Sequence, residues 1–137
     1  MKKMLVLTFI LISIAGTGLY AQTALNKAKQ TPIDVLPIHD IAGITNGLMG
    51  ILKTKLALSD AQSPKITGLL TDFLKSKSGI LSLAKSNPAD YLSKFGRIQN
   101  KLFDGLKTAL SGAQYTKFLG LKPKASDSEN LLNHLFI

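Results

Sequence analysis

Two histidines and eight carboxylates are the side chains of this 137-residue sequence best suited to metal ligation or proton transfer, and no cysteine accompanies them. His39 and His134 stand 95 positions apart, too far to supply the close-spaced ligand pair of a sequence-encoded zinc site. No G-x-S-x-G elbow, phosphate-binding loop or H-E-x-x-H helix is present. Asp60, Asp72, Asp90 and Asp104 are spread along helical runs, where carboxylates serve as surface charges or helix-dipole partners. The sequence therefore predicts no enzyme, no metal and no cofactor. What remains is binding chemistry, and the cations carry it.

Lys and Arg number 17 against 8 Asp and Glu, a formal charge of +9. Residues 53–124 hold 13 of the basic residues and 4 of the acidic ones, so the excess is concentrated there. A basic surface suits acidic protein segments, anionic lipid or nucleic acid. The sequence has no Trp and no basic run longer than two residues, which argues against nucleic acid. The apolar helix faces are needed for an internal core, which argues against a membrane-surface role.

The sequence opens MKKMLVLTFILISIAGTGLYAQ: a basic start, an apolar run over Met4–Ile14, then small residues ending at Ala21. That order predicts a cleaved secretory signal peptide over 1–21 and export to the periplasm or the extracellular space. The apolar run is shorter than the roughly 18–20 residues of a membrane span. Removing Lys2 and Lys3 with it leaves 15 basic residues against 8 acidic, or +7. Without cysteine, the exported domain must be held by packing alone.

Residues 22–39 read as a linker, with Pro32 and Pro37 opposing helix, and 40–137 as a single helical domain. In the first helical run Ile41, Ile44, Leu48, Leu52 and Leu56 recur at spacings of three and four. Gly43, Gly47 and Gly50 fall on its opposite side. They mark either a weak helix, each Gly costing about 1 kcal/mol relative to Ala, or a groove for a closely packed helix or second subunit. A second run, Asp60 to about Ser86, places Ile66, Leu69, Leu70, Phe73, Ile80, Leu81 and Ala84 on one face. Lys77 projects into the middle of that face, so either its stem snorkels or the helix bends. Asn87 and Pro88 open the third run, which extends to Leu110 with Tyr91, Phe95, Ile98, Leu102, Leu106 and Ala109 as its stripe. Lys94, Arg97 and Lys101 gather on one edge of it. A fourth helix, Gly112 to about Leu119, precedes an apolar tail, for which Ser126 and Glu129 offer a capping box and one or two docked helical turns are expected. No stretch alternates as a strand does. The predicted fold is all-α, a small bundle or curved layer of about four helices with a short C-terminal helix.

One phrase is written twice. ALSDAQSPKITGL over 57–69 and ALSGAQYTKFLGL over 109–121 share eight residues at an offset of 52. In each, a Ser and a Gln three residues later have capping-box spacing: Ser59 with Gln62, and Ser111 with Gln114. Each copy therefore predicts a corner where one helix ends and another begins. Loss of such a cap costs about 1 kcal/mol.

Leu58, Ser59 and Gln62, and again Leu110, Ser111 and Gln114, resemble the Leu-Thr-x-x-Gln motif that occurs twice in the Spy/CpxP family of periplasmic chaperones and stress proteins, with Ser in place of Thr. The resemblance implies a thin, curved all-α subunit that pairs into a cradle-shaped homodimer. It further implies ATP-independent holding of unfolded or partly folded proteins through mixed basic and apolar contacts. On that reading Lys75, Lys77, Lys94, Arg97 and Lys101 are the client-binding candidates. The competing expectation is a non-enzymatic structural or adaptor protein of the cell envelope that docks one dedicated partner.

Overall fold

Asp40 begins the first helix by accepting the Gly43 N–H at 3.0 Å, and the chain then runs through Ile41–Leu56 as α1. The computed structural model describes residues 32–137. The expected leader, and residues 22–31 of the expected linker, lie outside the described residues. After α1 come α2 (Gln62–Ser78), α3 (Leu83–Ser86), α4 (Pro88–Ala109), α5 (Gly112–Leu119) and α6 (Asn133–Phe136). Among the described residues there is no strand.

The helix boundaries follow the local chemistry. α1 ends on Ala57, which adopts a left-handed conformation (φ 52°) and turns the chain sharply into Leu58 and Ser59. The second run does not continue to Ser86 as one helix. It stops at Ser78, and Gly79 and a set of single turns lead into the one-turn helix α3. Asn87 then caps α4 by accepting the Asp90 N–H at 3.3 Å, with Pro88 in the first turn, where its missing N–H costs nothing.

Packing partners show how the helices close on one another. α1 packs on α2, α2 on α4, α4 on α5, and α5 returns to α1. Two helical hairpins, α1–α2 and α4–α5, are thus set side by side as a four-helix bundle. Leu48, Leu52 and Leu56 of α1 meet Ile66, Leu70 and Leu74 of α2, Tyr91, Phe95, Leu102 and Leu106 of α4, and Phe118 of α5 in one buried cluster. These are the apolar stripes expected from spacing. Burial at about 25 cal/mol per Å2 of apolar surface is what holds them together in a domain without disulfides.

The fourth member of the ring is short. At 1.5 Å per residue the eight residues of α5 cover about 12 Å, whereas the 22 of α4 cover about 33 Å. Two irregular segments fill the difference. Residues 32–39 form no helix, as their prolines dictate, yet Ile33, Val35 and Ile38 pack on the core and the Ile33 N–H donates to the Ala84 carbonyl at 2.9 Å. At the other end of the chain, Leu132, Asn133, His134 and Leu135 are all buried.

The capping box expected at Ser126 and Glu129 does not form. Asn side chains organise that loop instead: Asn133 Nδ2 donates to the carbonyls of Asp127 (2.7 Å) and Ser128 (3.1 Å), and Asn130 Oδ1 accepts the Leu132 N–H (3.0 Å). The helix consequently starts only at Asn133. Of the three glycines in α1, Gly47 alone sits at a close approach between segments. A Cβ there would come within 2.6 Å of Leu131 Cδ2, whereas at Gly50 it would meet nothing, and at Gly43 only the capping Asp40. The groove expected on this side of α1 therefore takes the chain's own tail at one position.

Candidate binding surfaces around paired helix corners

Both copies of the repeated phrase form the capping box that their spacing predicts. At the first corner Gln62 N–H donates to Ser59 Oγ (3.2 Å) and Ser59 N–H to Gln62 Oε1 (3.0 Å). At the second, Gln114 N–H donates to Ser111 Oγ (3.2 Å) and Ser111 N–H to Gln114 Oε1 (3.0 Å). Leu58 and Leu110, the residues before each Ser, are buried and anchor the corners in the core.

Satisfying its own corner uses one of the two lone pairs on the Oε1 of each Gln and leaves the amide NH2 free to donate. Both amides use that capacity on the opposite corner. Gln62 Nε2 donates to the Ala109 carbonyl (3.1 Å) at the end of α4 and to Gln114 Oε1 (2.8 Å). Gln114 Nε2 donates to the Leu56 carbonyl (3.2 Å) at the end of α1 and to Gln62 Oε1 (3.2 Å). The two copies are thus halves of one clasp with approximate two-fold symmetry. Each Gln starts its own helix, ends the other hairpin's helix by taking an orphan carbonyl, and pairs amide to amide with its twin. The clasp joins the ends of the hairpins and sets α2 against α4 along their length.

That juxtaposition creates the first candidate surface. Leu69, Asp72, Phe73 and Ser76 of α2 face Ile98, Lys101 and Leu102 of α4 across a shallow groove with room for about 70 Å3. Gly105 lies at one end, with Leu69 packed where a Cβ would stand (2.6 Å). Of the residues singled out from sequence, Lys101 lines this groove, and Arg97 and Lys94 are exposed about one and two turns before Lys101 on α4. Lys94 forms an ion pair with Asp90 at 3.0 Å, and Arg97 reaches the Ser93 hydroxyl at 3.5 Å. Lys75 is exposed on α2. Spacing alone did not disclose the groove floor, because Leu69 and Ile98 belong to stripes that read as core.

Lys77 does not belong to any exposed surface. Its relative exposure is 0%, because the α2 face into which it projects is covered by the tail. Its ammonium donates to the carbonyl oxygens of His134 (2.8 Å) and Ile137, and stands 5.0 Å from the centre of the Phe95 ring. Burial pushes its pKa down from 10.5 to about 8. Burial, and then the Lys77 charge, push His134 down from 6.5 to about 4, so this imidazole is neutral near pH 7. His134 Nδ1, Asn133 Oδ1, Tyr91 OH and Thr45 Oγ1 are buried without a hydrogen-bond partner among the described residues. The histidine that sequence alone leaves unassigned is therefore a core residue of the tail. His39 is exposed at the start of α1.

A wider cleft, about 250 Å3, opens between residues 34–36 and the tail, where Asp34, Lys124 and Glu129 bring charges of both signs to an apolar wall. Among the described residues no group of three His, Cys, Asp or Glu stands close enough to hold a metal ion, and no helix is long and apolar enough to cross a membrane. No protein family, curated protein or solved structure matches this chain.

Proposed function

We propose that this protein is an exported, Spy/CpxP-like helical binding protein that holds apolar, preferably acidic, segments of unfolded clients without ATP. The observation that carries the reading is the α2–α4 groove. Leu69, Phe73, Ile98 and Leu102 give it an apolar floor, and Lys101, in line with Arg97 and the Asp90-paired Lys94, gives its α4 side a basic rim opposite Asp72 and Ser76 of α2. A shallow apolar strip beside exposed cations gains from desolvating leucine or phenylalanine side chains and from long-range attraction to carboxylates. It has no deep pocket to demand a single sequence. The two motif copies act together as one structural unit, while the closed four-helix bundle departs from the thin, curved subunit that the resemblance implies.

The test is aggregation of a chemically denatured client diluted into buffer with the mature chain and no nucleotide. Equimolar protein is expected to slow light scattering, and raising the ionic strength is expected to weaken the effect as the Debye length falls from about 10 Å at 0.1 M to about 3 Å at 1 M salt. Absence of suppression at several-fold excess would reject the reading.

A further inference from the structure

The tail is held in an unusual manner, and that manner points to a second recognition site. Its polar anchors are side chains of the bundle that bind the tail's main chain. Lys77 donates to the carbonyls of His134 and Ile137, and Gln99 Nε2 donates to the carbonyl of Leu135 at 2.8 Å. Its apolar anchors are generic: Gly47 makes room for Leu131, and Phe103 and Phe118 flank Phe136 with ring centres 5.7 and 5.6 Å away. None of these contacts requires the identity of a polar tail side chain. The two polar tail side chains that are buried, Asn133 and His134, each keep an unpartnered atom, which weakens docking rather than specifying it.

We infer that the gap beside the short helix α5 is a sequence-tolerant site for one apolar helical turn, that the chain's own residues 131–137 are its resident occupant, and that an apolar segment of another, unfolded chain takes their place. Donors aimed at internal main-chain carbonyls, as Lys77 is at His134 and Gln99 at Leu135, serve any such segment, because every residue carries that acceptor. A glycine and two phenylalanines accommodate Leu, Ile, Met or Phe with little preference. The site lies on a different side of α4 from the groove, so one α4 would present two surfaces to one client. The inference rests on the client-binding reading for its biological meaning, though not for its test.

A tethered tail competes at an effective concentration in the millimolar range, so occupancy by an external segment depends on how firmly the tail is held. The full chain has no cysteine, which permits a clean lock: Gly47→Cys with Leu131→Cys, at positions already in side-chain contact range. The probe is a fluorescein-labelled peptide of residues 126–137 carrying Leu131→Ala, so that it does not meet the new Gly47→Cys side chain; it is titrated with full-length protein and read by anisotropy. Peptide is expected to bind the reduced double variant and to bind the oxidised, locked form at least tenfold more weakly. Phe136→Ala, which loosens the tail without touching its receiving site, is expected to bind peptide at least tenfold more tightly than wild type. Equal binding to locked and reduced forms, or no tightening with Phe136→Ala, would overturn the inference. Peptide exchange as expected, with no suppression of client aggregation, would leave this site standing and reject the chaperone reading instead.

Discussion

Replacing Gln114 by Ala removes five interactions at one stroke, among them the Gln62 amide's donation to Gln114 Oε1. The Ser111 N–H loses its acceptor, and the Leu56 carbonyl, the Ala57 carbonyl and Gln62 Oε1 lose a donor. The lost half of the capping box, one hydrogen bond from the Ser111 N–H, is worth about 1 kcal/mol. The half-buried donation to Leu56 and the amide pair add about 1 kcal/mol each, and the 3.4 Å contact to Ala57 little. The expected loss is about 2–3 kcal/mol, which for a domain of roughly 100 residues lowers the melting temperature by about 10–20 °C. Gln62→Ala should cost a similar amount, since it removes the equivalent set: the Ser59 cap, the Ala109 carbonyl and the same amide pair. The decisive quantity is the double variant. The amide–amide bonds are lost in either single variant, so the double should fall short of the sum by about 1 kcal/mol. Urea denaturation followed by far-ultraviolet circular dichroism gives all four corners of the cycle. Additivity within about 0.5 kcal/mol would refute the clasp and leave two independent helix caps.

Two further expectations concern the tail and its surroundings. Gly50→Ala, where a Cβ meets nothing, should stabilise α1 by about 1 kcal/mol, whereas Gly47→Ala should forfeit that gain because its Cβ drives against Leu131; denaturation midpoints of the two variants compare them directly. Stability should also carry the signatures of the two depressed bases. Lys77 has a folded pKa of about 8 against 10.5 unfolded, so between those values the unfolded chain binds more protons and stability rises with pH. Tyr91, which burial raises from 10 to about 12, reverses the trend above pH 10. For His134 the window is 4 to 6.5, and stability falls as pH drops through it, by on the order of 3 kcal/mol. Denaturation midpoints against pH should lose the rise between 8 and 10 in Lys77→Met and the acid fall in His134→Gln.

The all-α class, the hairpin corners and the four main helices were legible in the sequence because each rests on local rules. Leu48, Leu52 and Leu56 repeat at helical spacing, Asn87 and Pro88 mark a helix start, and Ser111 with Gln114 marks another. The reciprocal clasp was not legible, since an offset of 52 positions says nothing about proximity. A signal for it did exist: a Gln that caps with its carbonyl oxygen still has an amide NH2 to satisfy, and two such residues in one small domain are natural partners. Lys77 shows the same division. Its place inside an apolar stripe was visible, but reading it as a binding-surface cation failed because the tail that covers it forms by long-range packing. The shortness of α5 was visible too, and it is what leaves room for that tail. Of the candidate surface, Lys94, Arg97 and Lys101 were found by their spacing on one helix, whereas Leu69 and Ile98 join them only once α2 and α4 are set side by side.

The most direct measurement is a nuclear magnetic resonance shift map of the isotope-labelled protein with an unfolded, unlabelled client at equimolar ratio. The largest changes are expected at Leu69, Phe73, Ile98 and Lys101, fading as salt is raised. No change at these four residues, whether or not the tail residues 131–137 respond, would contradict the client-binding reading.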